Sequence, residues 1–461
     1  MISWLLNVLY LVGLVVASPW LIYRGLKTGR YSQGWSQKLL GVVPREIKAR
    51  LGASPLIWLH GVSVGEVQLL KPVLEQLRLR NPQATFVLST TTQTGMELAK
   101  KILPNELLIY FPFDFTWSVK RVLKTIKPKL LVLGELELWP NLIACSTNMG
   151  VRIAVVNGRL SERSFKGYRK YQRLTAAMFS KLSLVAAQDV TYADRFVACG
   201  VAASRVMVTG STKFDNVTFD RQSEPVEKLR KLVGLEEHHV VWIVGSTQSP
   251  EEKAAARAFL ELREAWPQLR LIIVPRHQER FESVYRELQE LGTNLIRRSS
   301  IETPKSETSG DSDGRGIGAD NWRVLLVDTI GELRWWWGVA DVAIVGGSFG
   351  DRGGQNMLEP SAFGINVAFG PNTQNFRDIS ELLLMENAAV RLKGLDEILP
   401  WMCEQLSNAE PGRARGERAQ RLIRRHQGAL ERTVDALQVI LDSREPNAFE
   451  LSYNRTDTTH G

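Results

Sequence analysis

The chain has 461 residues, of which 44% are hydrophobic and 23% are charged. A chain of this size exceeds what one hydrophobic core organises, so we expect two domains, and the composition excludes a wholly disordered protein. The formal net charge of +9 suits an anionic partner, which by charge alone is nucleic acid, a phosphorylated substrate or an acidic membrane surface. The cysteines Cys145, Cys199 and Cys403 lie far apart in the sequence, which indicates neither a disulfide framework nor a zinc site.

The first segment of the chain is apolar. Residues 1–23 carry no charged side chain and are long enough for a membrane-anchor helix. The first charged residues are basic, beginning with Arg24 and Lys27, and the positive-inside rule keeps this flank and the rest of the chain in the cytoplasm. A cleaved signal peptide is the alternative, but basic residues before its apolar core are missing here. Asn7 and Pro19 leave open a helix that lies in the membrane interface instead.

From residue 56 onward, short β-rich runs alternate with amphipathic helical stretches, which is typical of parallel sheets built from βαβ units. The predicted strands of the first series are Leu56–His60, Thr85–Ser89, Leu107–Phe111, Lys129–Leu133, Arg152–Val156, Leu184–Ala187 and Arg205–Val208. Those of the second series are Val240–Val244, Leu269–Val274, Asn294–Arg297, Val324–Val327, Val342–Val345, Asn366–Ala368 and Ala389–Leu392. The sequence therefore predicts an α/β protein of two Rossmann-like, doubly wound domains with a cleft between them.

The domain boundaries follow from the composition. We expect an N-terminal domain at 24–225 and a C-terminal domain at 226–443, because a polar stretch separates the two strand series. Residues 299–320 are rich in Ser, Gly, Asp and Glu and are expected to form a flexible insertion. A long charged helix is predicted over about 412–442, and the tail 444–461 is expected to be disordered.

The first candidate site follows the strand Leu56–His60. The loop after this strand leads into a helix that carries Glu66 near its start, at the carboxyl edge of the sheet, where ligands of this fold class bind. Ser63 and Glu66 also have the S-x-x-E spacing of a capping box, in which the carboxylate only satisfies a backbone N–H group. Spacing alone favours this capping role for Glu66.

Two acidic residues follow a later buried strand. Glu135 and Glu137 alternate, so in an extended chain they face the same way. Such a pair could perform acid/base chemistry, and the spacing leaves surface or capping roles equally open. Arg159, Arg163 and Lys213 also lie just beyond strand ends, where an anionic substrate could dock.

In the second strand series, Arg276 comes directly after a strand and carries a planar guanidinium suited to phosphate. Asp328 or Thr329 is a candidate helix N-cap, with Glu332 one turn later. Free backbone N–H groups at such a helix start could read a base or hold a phosphate.

The glycine-rich segment 345–360 permits close approach of the backbone to a ligand. It matches neither the Walker loop nor the dinucleotide fingerprint, which argues against a generic NTPase or dehydrogenase. Glu359, in the helix that follows, could hydrogen-bond a ribose diol. Asp311 and Asp313 have the D-x-D spacing that can hold a divalent metal through nucleotide phosphates, but no strand leads into them. We therefore predict no metal.

These segments, in this order, resemble the Kdo transferases of lipopolysaccharide synthesis, which are inverting glycosyltransferases with the GT-B fold of two Rossmann-like domains. The resemblance extends from the N-terminal anchor to about residue 378. Each segment alone is a weak indicator, whereas the whole series in register is specific. The segments that carry it are HGVSVGEV (60–67), ELELWPNLI (135–143), NGRLSERS (157–164), GSTKFD (210–215), PRHQERF (275–281), DTIGEL (328–333) and GGQNMLEP (353–360).

The resemblance implies transfer of 3-deoxy-D-manno-octulosonic acid (Kdo) from CMP-Kdo to a lipid A precursor, lipid IVA, with no metal and no cofactor. It makes Glu66 the general base, which reverses the capping interpretation, and it assigns transition-state stabilisation to Glu135 and Lys213. The implied CMP contacts are Pro275, Arg276, Ile330, Gly331, Glu332, Asn356, Met357, Leu358 and Glu359.

The resemblance also implies a location and a division of labour. It makes the N-terminal domain the acceptor domain and the C-terminal domain the CMP-Kdo-binding domain. The implied enzyme sits at the anionic surface of the inner membrane, held by a single N-terminal anchor, with its catalytic domains in the cytoplasm and no nucleic-acid partner.

Two other functions are compatible with the same sequence. One is a different GT-B transferase that uses a UDP-sugar on a lipid or cell-wall precursor, and the other is an inactive nucleotide-binding scaffold at the membrane. The chain departs from the family pattern at Gln355–Met357, where His-Asn-Pro is usual, and at Thr92–Gly95, where Thr-Pro-Thr-Gly is usual. We expect backbone contacts to survive both changes.

Overall fold

The computed structural model describes residues 2–28, 33–52, 54–215, 217, 220–301, 318 and 321–442. The chain divides into two compact units, which are Met1–Asp215 with Gln427–Gly461, and Asn216–His426. The tail predicted at 444–461, the two D-x-D aspartates and most of the insertion predicted at 299–320 lie outside the described residues.

The first unit is built around a parallel sheet. Its strands are β1 Leu56–His60, β2 Thr85–Thr90, β3 Leu107–Tyr110, β4 Leu130–Gly134, β5 Arg152–Gly158, β6 Leu184–Ala187 and β7 Val206–Val208. They form one seven-stranded sheet in the order β3-β2-β1-β4-β5-β6-β7, with every neighbouring pair parallel. Each strand predicted for the first series is present.

The helices of this unit connect the strands or, in the case of the first three, precede the sheet. They are α1 Ile2–Thr28, α2 Trp35–Leu40, α3 Arg45–Arg50, α4 Val64–Arg80, α5 Gln93–Ile102, α6 Thr116–Ile126, α7 Pro140–Asn148, α8 Glu162–Lys170, α9 Gln172–Phe179 and α10 Val190–Cys199. Strand β1 is buried along its whole length. Ile57 and Leu59 pack in one apolar cluster with Val67 of α4, while Trp58 packs in the cluster on the other face. Burial on both faces explains why this strand reads as a continuous apolar run.

The second unit repeats this architecture. Its strands are β8 Val240–Thr247, β9 Leu269–Pro275, β10 Leu295–Arg297, β11 Val324–Leu326, β12 Val342–Val345, β13 Asn366–Phe369 and β14 Val390–Arg391. They form a second seven-stranded parallel sheet in the order β10-β11-β9-β8-β12-β13-β14. The prediction for this series is confirmed as well, with the largest difference at β8, which ends at Thr247 rather than Val244.

The helices of the second unit are α11 Glu224–Leu232, α12 Glu251–Leu262, α13 Phe281–Glu290, α14 Leu333–Trp336, α15 Leu358–Ala362, α16 Arg377–Met385, α17 Ile398–Ser407 and α18 Glu410–His426. The unit begins at Asn216. The boundary proposed from the sequence at 225 therefore falls inside α11, because the polar composition that suggested a linker continues into the exposed face of this helix.

The helix predicted over 412–442 is two helices, α18 and α19 Ala429–Asp442. The break falls at Gly428, whose φ of +83° is readily adopted only by glycine. Asp215 fixes the start of α19, since its carboxylate accepts the N–H groups of Gly428 and Leu430, each at 2.6 Å. Leu437 and Ile440 of α19 then join the core of the first unit. The last helix thus completes the first unit, whereas the sequence suggested that it closed the second.

The N-terminal helix α1 contains an 18-residue window, Ser3–Trp20, that is long and apolar enough to cross a membrane. Its first half contacts the rest of the first unit through polar side chains. Asn7 Nδ2 donates to Thr116 Oγ1 at 2.7 Å, and the Tyr10 hydroxyl donates to Asp114 Oδ2 at 3.3 Å. The outward side is apolar, with the Val16 side chain 75% exposed.

Candidate active site

The strand order of the first unit reverses between β1 and β4, which pair directly. In open parallel sheets, ligands bind outside the carboxyl ends of the strands at such a switch point. Glu66 lies in the first turn of α4, after β1. Glu135 and Glu137 lie in the loop after β4. The fold therefore brings together the three acidic residues that the sequence analysis singled out in this half of the chain.

The Glu66 carboxylate is held by groups from the loop that precedes its helix. Its Oε2 accepts the Val62 N–H at 2.7 Å, and its Oε1 accepts the Ser63 hydroxyl at 3.0 Å. Ser63 is the N-cap residue of α4, but its side chain caps no backbone N–H group. The reciprocal capping box considered from the spacing is therefore absent from this helix start, and the Ser63 hydroxyl orients the carboxylate instead.

Gly61 lets Glu66 approach the sheet closely. A Cβ atom on Gly61 would lie 3.0 Å from Glu66 Cβ, closer than the side chain tolerates without a shift. A Cβ atom on Gly134, at the end of β4, would lie 3.8 Å from the same atom. The Gly61 contact explains why the motif has a glycine directly after β1, whereas the Gly134 distance is an ordinary van der Waals contact that shows only that Glu66 lies beside the end of β4.

The environment of Glu66 favours its neutral form. Burial raises the pKa of Glu66 to about 7, although the hydrogen bonds from Val62 and Ser63 lower it, and the negative charges of Glu137 and Glu135 add to the rise. A carboxylate with a pKa near neutral pH both exists in its basic form and accepts a proton effectively. Perturbed acids of this kind concentrate at catalytic sites.

Glu137 shares this environment. Burial raises its pKa, the Trp139 indole lowers it through a hydrogen bond from Nε1 to Glu137 Oε2 at 3.1 Å, and the charge of Glu135 raises it. The extended conformation expected for this segment is wrong, because Glu135 has a φ of +55° and the chain turns there. A non-glycine residue in this region is strained, and such strain is common at functional sites.

Lys213 lies opposite Glu135, on a short 3-10 helix, Thr212–Phe214, after β7. Its Nζ is 4.0 Å from Glu135 Oε1, and the two side chains are 44% and 32% exposed. The Asn157 side chain helps to hold this turn, since its Oδ1 accepts the Thr212 N–H at 3.3 Å. The first unit thus offers a cation beside the acidic cluster, in a position open to a ligand.

The sheet of the second unit reverses its order between β8 and β12. The glycine-rich loop follows β12, and a buried carboxylate that the sequence analysis missed organises it. Glu251 accepts the N–H groups of Gly347, Ser348 and Phe349 at 2.8, 3.1 and 3.2 Å, and that of Gln248 at 2.8 Å. This one side chain connects the loop after β12 to the loop after β8.

The adjacent Glu252 is fully buried and holds the segment after β9. Arg280 donates to both of its carboxylate oxygens, at 2.6 and 3.1 Å, and the Thr247 hydroxyl donates at 2.7 Å. Acidic residues at the start of a helix are ordinary complements to its dipole, so the Glu251-Glu252 pair in the sequence does not predict burial. The only sequence signal for their buried role is their position, four and five residues after the end of β8 at Thr247.

Three of the predicted donor-site residues, Arg276, Asn356 and Glu359, lie close together around the Glu359 carboxylate. Burial raises the pKa of Glu359, while a hydrogen bond from Asn356, the nearby Trp337 indole and the charges of Arg276 and Arg334 lower it. Asn356 Nδ2 donates to Glu359 Oε1 at 3.1 Å. Arg276 itself is exposed directly beyond β9, as the sequence predicted.

Three other predicted donor contacts are buried. Pro275 is the last residue of β9, and Met357 and Leu358 are 0% and 2% exposed. Their side chains belong to the core, so a ligand could contact only the backbone at these positions.

The segment Ile330–Glu332 differs from its prediction. Neither Asp328 nor Thr329 caps a helix, because α14 begins only at Leu333 with Glu332 as its N-cap residue. The Glu332 carboxylate accepts hydrogen bonds from Arg298, Thr329 and Trp336 and is occupied by the protein. Ile330 is 73% exposed and Gly331 has a φ of +88°, so these two residues present backbone to solvent. Among the described residues, no group of three or more His, Cys, Asp or Glu is placed to hold a metal ion.

The chain is similar to known proteins along most of its length. The family model described as 3-deoxy-D-manno-octulosonic-acid transferase (kdotransferase) matches residues 33–216. The 3-deoxy-D-manno-octulosonic acid transferase of Haemophilus influenzae is 33% identical over 388 residues, which cover 84% of this chain and 87% of that protein. The transferase of the same name from Bordetella pertussis is 30% identical over 428 residues, covering 91% of this chain and 95% of that protein.

A solved structure shows the same fold. The glycosyltransferase from Rickettsia africae superimposes with a TM-score of 0.50 at 10% identity, covering 85% of this chain and 100% of that one. The two doubly wound units are those of a GT-B protein, as the sequence predicted. With relatives this similar over this much of its length, the chain belongs to the family of 3-deoxy-D-manno-octulosonic acid transferases, which are glycosyltransferases.

Proposed function

We propose that this Kdo transferase moves Kdo from CMP-Kdo to a lipid A precursor, with Glu66 as the general base. The observation that carries this proposal is the environment of Glu66, whose pKa of about 7 suits a base at neutral pH. Family membership supplies the sugar that is transferred. The acceptor, the donor nucleotide and the residue roles are the proposal.

The chemistry follows from the groups in the first unit. A sugar hydroxyl is a poor nucleophile, so Glu66 removes its proton as the oxygen attacks the anomeric carbon of the donor. The bond from that carbon to the CMP phosphate breaks as the new bond forms, so attack from the opposite face inverts the configuration with no covalent enzyme intermediate. Lys213 and Glu135 flank this point and stabilise the charge that develops in the transition state.

The donor nucleotide is assigned to the second unit. The Arg276 guanidinium is exposed at the end of β9, where it suits a phosphate. The half-buried Glu359, held by Asn356, suits a ribose diol. The backbone of Pro275, Met357 and Leu358, together with that of Ile330, Gly331 and Glu332, completes the proposed contacts with CMP. Gln355 stands in place of the family's usual histidine, so this chain holds its donor without an imidazole there.

Helix α1 is proposed to anchor the enzyme in the inner membrane, with both units in the cytoplasm. The Asn7 and Tyr10 side chains hydrogen-bond to the rest of the first unit from within the apolar window Ser3–Trp20. A helix that spans the bilayer has this window surrounded by lipid, so these polar contacts favour a helix that lies in the membrane interface.

The test of the function is direct. Purified protein is incubated with CMP-Kdo and a tetra-acylated lipid A precursor, and the products are identified by mass spectrometry. We expect Kdo addition to the precursor, none with Glu66→Gln, and none when a UDP-sugar replaces CMP-Kdo. Turnover by Glu66→Gln at the wild-type rate would remove the proposed base, and transfer from a UDP-sugar alone would replace the proposed donor.

The test of the anchor uses a cysteine at Ser3. In intact cells, an impermeant thiol reagent labels this cysteine from the periplasm only if α1 spans the inner membrane. We expect labelling only after the membrane is opened. Labelling in intact cells would show a spanning helix.

A further inference from the structure

A pocket lies between α1 and two loops, which are the loop after β3 and the loop after β4 that carries Glu135 and Glu137. Its volume is about 280 Å³. Leu9, Gly13 and Leu14 form one wall, and Phe113, Phe115 and Trp139 form the other. The two walls are far apart in the sequence. Hydrogen bonds from Asn7 and Tyr10 of α1 to Thr116 and Asp114 hold them together beside the pocket.

The pocket is apolar although an acid lies in its wall. Asp114 uses its carboxylate to cap α7, accepting the N–H groups of Asn141 at 3.0 Å and Leu142 at 2.7 Å, and it also accepts the Tyr10 hydroxyl. Its charge is therefore balanced by donors of the protein and is not presented to the cavity. The remaining lining is hydrocarbon and aromatic rings, which suits an uncharged chain rather than a polar ligand.

Trp139 connects this pocket to the proposed catalytic groups. One face of the residue lines the cavity, while its indole Nε1 donates to the Glu137 carboxylate at 3.1 Å. Glu137 in turn is close enough to Glu66 to raise its pKa. A molecule with its apolar part in the pocket would therefore have its polar part near the base.

The surroundings suit an amphiphile with an anionic head. On α6, whose first residue Thr116 bonds to Asn7, the side chains of Trp117, Lys120, Arg121 and Lys124 are exposed. Their spacing puts them on one face of the helix, an aromatic ring followed by cations. An aromatic ring beside cations is the usual pattern where protein meets the head groups of an anionic lipid.

The geometry points to this pocket as the binding site for an acyl chain of the lipid acceptor. This inference rests on the proposed function. It adds which part of the acceptor the enzyme binds and which residues bind that part. In this arrangement α1 is more than a tether, because it supplies half of an acceptor site, and removing it would cost affinity for the acceptor as well as for the membrane.

Gly13 makes the inference testable. Gly13 lines the pocket, and a Cβ atom added there meets no atom within 4 Å, so a larger side chain has room at its base. Gly13→Phe should fill the cavity. The matched control is Val16→Phe, which puts the same side chain on the same helix at a position that is 75% exposed and does not line the pocket.

The first measurement compares acceptors with and without ester-linked acyl chains, at saturating CMP-Kdo. For Gly13→Phe, we expect the ratio of kcat/KM on the fully acylated acceptor to kcat/KM on the de-O-acylated one to fall at least tenfold. That factor corresponds to about two methylene groups losing their burial. Val16→Phe should keep the wild-type ratio. An unchanged ratio in Gly13→Phe, or an equal fall in Val16→Phe, would overturn the inference.

The second measurement does not depend on turnover. A tetra-acylated precursor with a photoreactive diazirine in one acyl chain is irradiated with the protein, and the labelled peptides are mapped by mass spectrometry. Labelling should fall on residues 9–14 and 113–115, and it should be lost in Gly13→Phe but kept in Val16→Phe. Labelling elsewhere, or equal labelling by a diazirine phospholipid that the precursor does not displace, would refute an acceptor site.

The experiments distinguish a failure of the proposed function from a failure of the proposed acyl-chain site. A wild-type enzyme that transfers no Kdo to any acceptor, yet crosslinks at these residues, would refute the function and leave the lipid pocket standing. An active enzyme that crosslinks elsewhere would do the opposite.

Discussion

The indole of Trp139 donates its one hydrogen bond to Glu137, whose carboxylate lies near Glu66. Through this bond, the loop after β4 fixes a second negative charge beside the proposed base. Burial is the main reason that Glu66 keeps its proton up to neutral pH, and the charge of Glu137 adds to this effect because two partly buried carboxylates resist ionising together.

The first prediction concerns the pH dependence of activity. Glu66 must be ionised to act, and its pKa is about 7, so kcat/KM should rise with pH through an inflection near that value. Glu137→Gln removes a charge that raises the pKa of Glu66, so its inflection should move to lower pH. A pH-rate profile for both proteins tests this. A profile that does not move in Glu137→Gln would show that the two carboxylates are not coupled.

The second prediction concerns stability. The pKa of Glu66 is raised from 4.5 to about 7 by folding, so the contribution of this group to stability is complete below pH 4.5 and lost as the pH rises through 7. Glu66→Gln should therefore increase the free energy of unfolding at pH 8 by roughly 1–2 kcal/mol, after allowance for water access, and should change it little at pH 4.

Urea denaturation at the two pH values measures this difference. The control is Glu75→Gln, an exposed carboxylate on the same helix that pairs with Lys71. Equal effects at pH 4 and pH 8 would contradict the raised pKa.

The third prediction separates catalysis from stability at Lys213. Its pair with Glu135 is 4.0 Å long and partly exposed, a kind of ion pair worth about 0–1 kcal/mol. Lys213→Ala should therefore leave the melting temperature almost unchanged while lowering kcat roughly 10²–10³-fold, the usual effect of losing a group that stabilises transition-state charge. Lys166→Ala, at an exposed lysine paired with Glu162, is the control. A wild-type kcat in Lys213→Ala would exclude the proposed role.

The fourth prediction concerns Glu251 and donor affinity. Glutamine at this position keeps the shape but loses acceptor capacity, so backbone N–H groups of the glycine-rich loop would lose partners at roughly 1–3 kcal/mol each. Glu251→Gln should weaken CMP binding about tenfold or more, measured by calorimetry, with KM for the acceptor unchanged. Glu261→Gln, an exposed residue of the same helix, is the control. Equal effects on donor and acceptor would indicate general unfolding instead.

Local pattern was sufficient to predict the strands. Runs such as Leu56–His60 and Val342–Val345 are apolar throughout because both faces of each sheet are covered, and they stand out between helical stretches. The positions of Glu66 and Arg276 at strand ends followed directly. Which helix covers which sheet did not follow, because α19 packs on residues more than half the chain away, such as Ile57.

The roles within the site needed the folded structure. Spacing alone favoured a capping role for Glu66, since neither the burial that raises its pKa nor the nearby charges of Glu137 and Glu135 can be seen before the chain is folded. Glu251 resembled an ordinary helix-start acid until the loop after β12 was placed against it. In both cases the role of the carboxylate depends on contacts with residues that are far away in the sequence. Hydrophobic periodicity and motif spacing do not reveal such contacts.

The placement of α19 has a consequence for synthesis of the protein. The sheet of the first unit is synthesised before Asn216–His426, but α19, which covers part of this sheet, is synthesised after Asn216–His426. At about 5–20 residues per second, synthesis of that segment takes roughly 10–40 s, during which α19 cannot yet pack on the apolar face of the sheet. During this interval the nascent chain exposes an aggregation-prone apolar surface in addition to its apolar N-terminal helix. A premature stop codon just before α19 would therefore damage the first unit rather than the second.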